Sequence, residues 1–205
     1  MYIDLDTWKF RGHFEFFRTF ANPFFSVTCE VDVTAPWRAS REPNGPPFFI
    51  ATLFAALHAA NDVEALRLRI RGDRVWRHER IAVSTTVARE DETFGFAHLV
   101  CVDSFADFEA NAKRELRKAK EERGLDETSH DDAVFYHSTL PWLRFTSFSN
   151  PLPLNGESIP RIVFGKVAGT EERMTMPVAI EVHHAVVQGF DLGKFFEVFQ
   201  QRLGN

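Results

Sequence analysis

The stretch that most constrains the chain lies near its C-terminus: Met176-Pro177-Val178-Ala179-Ile180-Glu181-Val182-His183-His184-Ala185-Val186-Val187-Gln188-Gly189-Phe190. Apolar and other residues alternate up to two histidines, and Gly189 follows His184 by five positions. This pattern predicts a strand that ends in a histidine turn and passes into a last helix. Side chains alternate faces along a strand, so Val178, Ile180, Val182 and His184 point one way, and Ala179, Glu181 and His183 the other. A neutral imidazole at the end of an apolar row suits a general base, because burial disfavours the imidazolium and leaves an acceptor lone pair. A core histidine satisfied by backbone groups fits the same position. A zinc pair fits less well, since adjacent strand residues face opposite sides and cannot readily chelate one ion.

Upstream, the chain reads as alternating helices and strands. Asp6 or Thr7 is expected to cap a helix from Trp8, with Phe10, Phe14, Phe17 and Phe20 on one core-facing stripe. Phe24 to Thr34 alternates as a half-buried strand, Pro36 to Pro46 reads as a polar turn region, and a second helix follows from Pro47. Leu66 to Val102 reads as an antiparallel meander. Ser104 opens a helix with Asp107 in the capping-box position and Gly124 as its stop. Asp126 to Asp132 is read as a polar link and Ser149 to Pro160 as an irregular loop, while Val134 to Phe148 fits helix or strand. Ile162 to Val167 and the histidine strand form a hairpin, and Leu192, Phe195, Phe196, Phe199 and Leu203 put one face of the closing helix on the sheet.

A length of 205 residues suits one α/β or α+β domain spanning 1–205. A net charge of −5 repels a phosphate backbone, which argues against nucleic acid as a partner. Cys29 and Cys101 sit in apolar runs, as free buried thiols do. No twenty-residue apolar span and no basic, apolar leader occurs, so the expectation is a cytoplasmic protein without membrane contact.

His183-His184-Ala185-Val186-Val187-Gln188-Gly189-Phe190 resembles the H-H-A-V-x-D-G-F signature of the chloramphenicol acetyltransferase family. Other segments match in the family's order. Met176 to Ile180 resembles its M-P-L-A-I run; Asp4, Trp8 and His13-Phe14-Glu15 with Phe17 resemble its opening motif. Glu92-Thr93-Phe94, Phe145-Thr146-Ser147-Phe148 and Pro160 to Lys166 resemble its E-T-F, F-T-S-F and P-x-x-x-x-x-K segments.

The resemblance implies a two-layer α/β sandwich with a mixed sheet and helices on one face, assembled as a homotrimer with active sites between subunits. It implies acetyl-CoA as co-substrate, no metal, and a small-molecule alcohol acceptor entering opposite to coenzyme A. His184 matches the general base and Ser147 the hydroxyl that donates to the oxyanion. Gln188 occupies the position of the family's aspartate, and Phe10 that of the arginine paired with it, so both halves of an ion pair that supports the turn at Gly189 are absent. Losing both can be close to neutral, whereas losing one costs roughly 3 to 5 kcal/mol. Arg11 is close enough in sequence to approach Gln188.

Phe25 stands where the family has a tyrosine and Val163 near a threonine. With Phe94 and Phe96 as further candidates for the acceptor pocket, these changes predict a rather apolar acceptor and poor binding of chloramphenicol, whose hydroxyls lose partners. The resulting expectation is an O-acetyltransferase. Two alternatives stand beside it: a catalytically impaired trimer that binds a small molecule or serves regulation, and transfer of another acyl group from a protein-bound thiol.

Overall fold

A computed structural model describes residues 1–122, 124–125, 131–153 and 157–204. Its elements in chain order are α1 (Arg11–Phe17), β1 (Phe24–Asp32), α2 (Thr34–Ala39), α3 (Phe48–Asp62), a 3-10 turn (Glu64–Arg67), β2 (Leu68–Arg71), β3 (Arg74–Arg77), β4 (Ala82–Ala88), β5 (Phe94–Leu99), α4 (Phe105–Glu121), β6 (Val134–Thr139), β7 (Arg161–Phe164), β8 (Ala168–Gly169), β9 (Met174–His183) and α5 (Gly189–Gly204). Six strands run in the order β1-β9-β7-β6-β4-β5, with β8 beside β9. The β4–β6 and β6–β7 pairs are parallel and the others antiparallel, so the sheet is mixed.

The period-two pattern of β9 places Val178, Ile180 and Val182 on the face that α3 and α5 cover. Ile162 and Phe164 of β7, Phe135 of β6, and Leu192, Phe195, Phe199 and Leu203 of α5 join the same core. Ala179, Glu181 and His183 turn to the opposite face and are buried as well. They are buried because β9 lies between β1 and β7, and because Asn150 reaches back to donate both its backbone N–H (3.1 Å) and its side-chain Nδ2 (3.0 Å) to Glu181. The result is the two-layer α/β sandwich expected from the resemblance.

Several local expectations differ from the structure. The first helix starts at Arg11 with no side-chain cap, because the Asp4 carboxylate folds a turn by accepting from Asp6 N–H (3.1 Å) and the Thr7 hydroxyl (3.1 Å). Its aromatic stripe is only partly core: Phe14 is 1% exposed, whereas Phe20 is 44% exposed. The polar turn region contains the short helix α2. The meander divides, since β2 and β3 form a separate ribbon while β4 and β5 join the main sheet. Residues 134–148 hold β6 and then an open segment without strand. Cys29 and Cys101 are free but only half-buried. Ser104 does cap α4, its Oγ accepting from Asp107 N–H at 3.3 Å. The polar link and the irregular loop lie partly outside the described residues, at 126–130 and 154–156.

Candidate active site

β9 delivers the histidines to a turn that the backbone holds closed. His184 N–H donates to Pro23 O (2.9 Å), and Val186 and Val187 N–H both donate to His183 O (3.1 Å each). Gln188 donates its side-chain Nε2 to His184 O (3.2 Å), and the Asp191 carboxylate caps α5 by accepting from Gln188 N–H (2.8 Å). The turn is tied at both ends.

The His184 ring stacks on Phe17, with centroids 4.0 Å apart and an interplanar angle of 17°, and meets Phe25 at 4.5 Å. Its Nδ1 lies 3.2 Å from Val187 O. A carbonyl only accepts, so Nδ1 carries the proton and Nε2 of the neutral ring is the acceptor. His183 plays a different part. It is 5% exposed, its Nδ1 accepts from Ala185 N–H (3.2 Å), and burial, with the neighbouring His184 charge adding to it, lowers its pKa to about 4.

The other expected site residues are dispersed. Ser147 is exposed on the segment after β6, whose Phe148 O accepts from the Ser26 hydroxyl at 2.9 Å. Ser26 pairs with Glu181 and therefore belongs to the sheet face opposite the core, whereas His184 sits with Phe17 and Phe25 against the core edge. Phe94 and Phe96 lie on β5, four strand positions from β9, or roughly 19 Å at the usual inter-strand spacing. Val163 is 1% exposed. Phe10 packs edge-on against Trp8 and His13, and Arg11 is engaged by Asp6 (2.5 Å) and Glu15 (2.8 Å) rather than by Gln188. A Cβ at Gly189 would meet open space.

One set of residues, Phe96 apart, was not singled out from the sequence. The sheet face opposite the helices carries a cavity of about 580 Å³ over β4, β5 and β6, lined by Ser84, Thr86, Phe96, Tyr136, Ser138 and Arg161 among others. The usable signal was the polar i, i+2 pair in β4, Ser84 and Thr86, repeated in β6 by Tyr136 and Ser138.

The reading of Gln188 as the replacement for the family's aspartate, with its arginine pairing lost, is corrected by a second cluster. Asp131 and Asp132 stand intact with His78, with one ligand atom of each within 4.8 Å of the others. His78 Nε2 is 2.8 Å from Asp132 Oδ1, and Arg71 pairs with the same carboxylate at 2.5 Å. Burial opposes the charge on Asp132, but the hydrogen bonds from His78 and Arg71 outweigh it and hold the carboxyl far below its usual range. The polar link thus contains a structural partner that spacing alone could not reveal, because the pair is 54 residues apart. As a metal site the cluster is poorly arranged. Trp76 Nε1–H donates to His78 Nδ1 (3.3 Å), so Nε2 holds the proton given to Asp132 and the ring has no lone pair to spare.

The buried imidazoles make stability depend on pH. Burial lowers His183 to about 4 and His137 to about 3, from 6.5 in an unfolded chain. Below pH 6.5 the unfolded chain binds protons that the folded chain refuses, so this stability is complete above 6.5 and is lost as pH falls toward 4. At pH 5 unfolding is expected to take up close to two protons at these rings, a slope of about 2.5 kcal/mol per pH unit. Urea unfolding between pH 5 and 7 measures it, and His137→Phe is expected to remove about half.

A chloramphenicol acetyltransferase family model matches residues 1–200. A chloramphenicol acetyltransferase of Proteus mirabilis is 25% identical over 201 residues, covering 97% of this chain and 92% of the relative. Chloramphenicol acetyltransferase 3 of Escherichia coli is 26% identical over 206 residues, covering 97% and 94%. A solved chloramphenicol acetyltransferase structure superposes with a TM-score of 0.90 at 28% identity, covering 99% of this chain and all of that one. Fold and family together define an acyltransferase. The chain belongs to the chloramphenicol acetyltransferase family.

Proposed function

We propose that the protein, acting as one 1–205 domain in a homotrimer, transfers an acetyl group from acetyl-CoA to a hydroxyl of a small molecule. His184 Nε2 takes the proton of the acceptor O–H as its oxygen attacks the thioester carbonyl. The Ser147 hydroxyl donates to the developing oxyanion. Collapse forms the O–C ester bond and breaks the C–S bond, and the proton held on Nε2 passes to the departing sulfur, giving coenzyme A thiol and an acetyl ester.

The observation that carries this reading is the Nδ1 contact of His184 with Val187 O, which presets the acceptor tautomer at Nε2. The placement of His184 and Ser147 at opposite sides of the sheet supports a site shared between two copies, one supplying the base and the other the serine. Acceptor-dependent release of coenzyme A thiol over a panel of alcohols tests the reading. Ser147→Ala is expected to lower kcat by about a hundredfold with KM for acetyl-CoA little changed. Tight binding of an acceptor with no thiol release from any alcohol would instead favour the impaired, binding-only trimer.

A further inference from the structure

We infer that the acceptor is a neutral polyol, of the sugar or cyclitol class, held in the cavity over β4, β5 and β6 of the copy that supplies Ser147, where Asn150 is part of the lining, and facing His184 of the other copy. This rests on the acetyl-transfer reading above and goes beyond it by naming the acceptor's chemistry. It also departs from the apolar acceptor that the substitutions at Phe25 and Val163 suggest.

The cavity floor is a grid of hydroxyls. Ser84 pairs in register with Tyr136, and one step along the same face the Thr86 Oγ1 lies 3.0 Å from the Ser138 Oγ. Strand spacing of about 4.8 Å and a two-residue rise of about 6.8 Å set the mesh. Such a mesh offers several hydroxyl partners to one ring, where a single acceptor O–H would need only one. Phe96, paired opposite Thr86, supplies an apolar flank against which the CH face of a sugar ring can lie. The volume of about 580 Å³ falls within the range of small-molecule sites.

Three of the four charged side chains that line the cavity, Asp132, Glu157 and Arg161, are paired with an opposite charge. Arg161, 5% exposed, gives NH2 to Glu157 and NH1 to Ile159 O, and Asp132 is engaged by Arg71 and His78. Paired carboxylates and guanidinium groups still accept from and donate to neighbouring hydroxyls, but they do not select a strongly charged ligand. An apolar alcohol would cover this lining without answering its donors and acceptors. Sites built to hydrogen-bond a ligand hydroxyl reject analogues that lack it by large factors, on the order of 10⁴ to 10⁵.

The test measures binding of methyl glucoside, myo-inositol and benzyl alcohol to the intact protein by saturation-transfer NMR and calorimetry, without acetyl-CoA. A polyol is expected to bind at least about tenfold more tightly than benzyl alcohol. Thr86→Val combined with Ser138→Ala is expected to remove that preference, while Thr86→Ser combined with Ser138→Thr retains it and controls for folding. Equal or tighter binding of benzyl alcohol, or a polyol affinity indifferent to the first pair of changes, overturns the inference. Thiol release with the same panel keeps the two readings apart. Turnover of apolar alcohols only would refute the polyol and keep the transferase, whereas hydroxyl-dependent polyol binding without turnover would do the reverse.

Discussion

His184→Gln is expected to lower acetyl transfer by about a thousandfold, within the usual span for removing a positioned general base. Glutamine can fill the slot between Phe17 and Phe25, and its amide can still reach the Val187 carbonyl, so the turn has no reason to collapse. What it lacks is a basic nitrogen where Nε2 stood. The loss should therefore fall on kcat, with KM for acetyl-CoA little moved, because no ground-state contact to the nucleotide is removed. Steady-state kinetics with a melting curve as the folding control measures this; activity within tenfold of the unaltered protein would contradict the assignment.

The largest expected effect on stability lies elsewhere. Arg69 is 1% exposed, and its guanidinium donates to four backbone carbonyls: Asp132 O (2.7 Å), Leu66 O (3.0 Å), Leu68 O (2.6 Å) and Val134 O (2.5 Å). It rivets the β2–β3 ribbon to the start of β6, and burial lowers its pKa to about 10. Arg69→Met keeps much of the stem but strands those carbonyls in a dry interior. Each unanswered acceptor costs on the order of 1–3 kcal/mol, offset in part by no longer burying a cation, so a net loss of about 3–5 kcal/mol is expected. A urea titration followed by tryptophan fluorescence measures it, and a loss below about 1 kcal/mol would show that the rivet is not needed.

Neither site was equally visible in the sequence. The β9–turn–α5 unit was legible because local pattern and tertiary role agree there: the period-two run, the histidine turn and the stripe Leu192, Phe195, Phe199, Leu203 all describe one packed layer. Arg69 looked like one polar member of an alternating strand, and nothing local marks a side chain two of whose four partners sit more than sixty residues away. The same holds for His78 and Asp132. The start of α1 was misread because Asp6 and Thr7, the expected caps, are drawn into a turn on the Asp4 carboxylate, and the helix begins only at Arg11. The polar lining over β4 and β6 went unmarked because four hydroxyl residues on two strands look ordinary until the parallel register sets Ser84 beside Tyr136 and Thr86 beside Ser138.

The claim on which the rest depends is that His184 of one copy and Ser147 of another form a single acetyl-transfer site. Mixing equal amounts of His184→Ala and Ser147→Ala chains, unfolding and refolding them together, and measuring coenzyme A thiol release tests it directly. Random pairing leaves roughly one site in four with both groups intact, so about a quarter of the unaltered activity is expected to return. Activity no higher than that of the two variants refolded separately would contradict it.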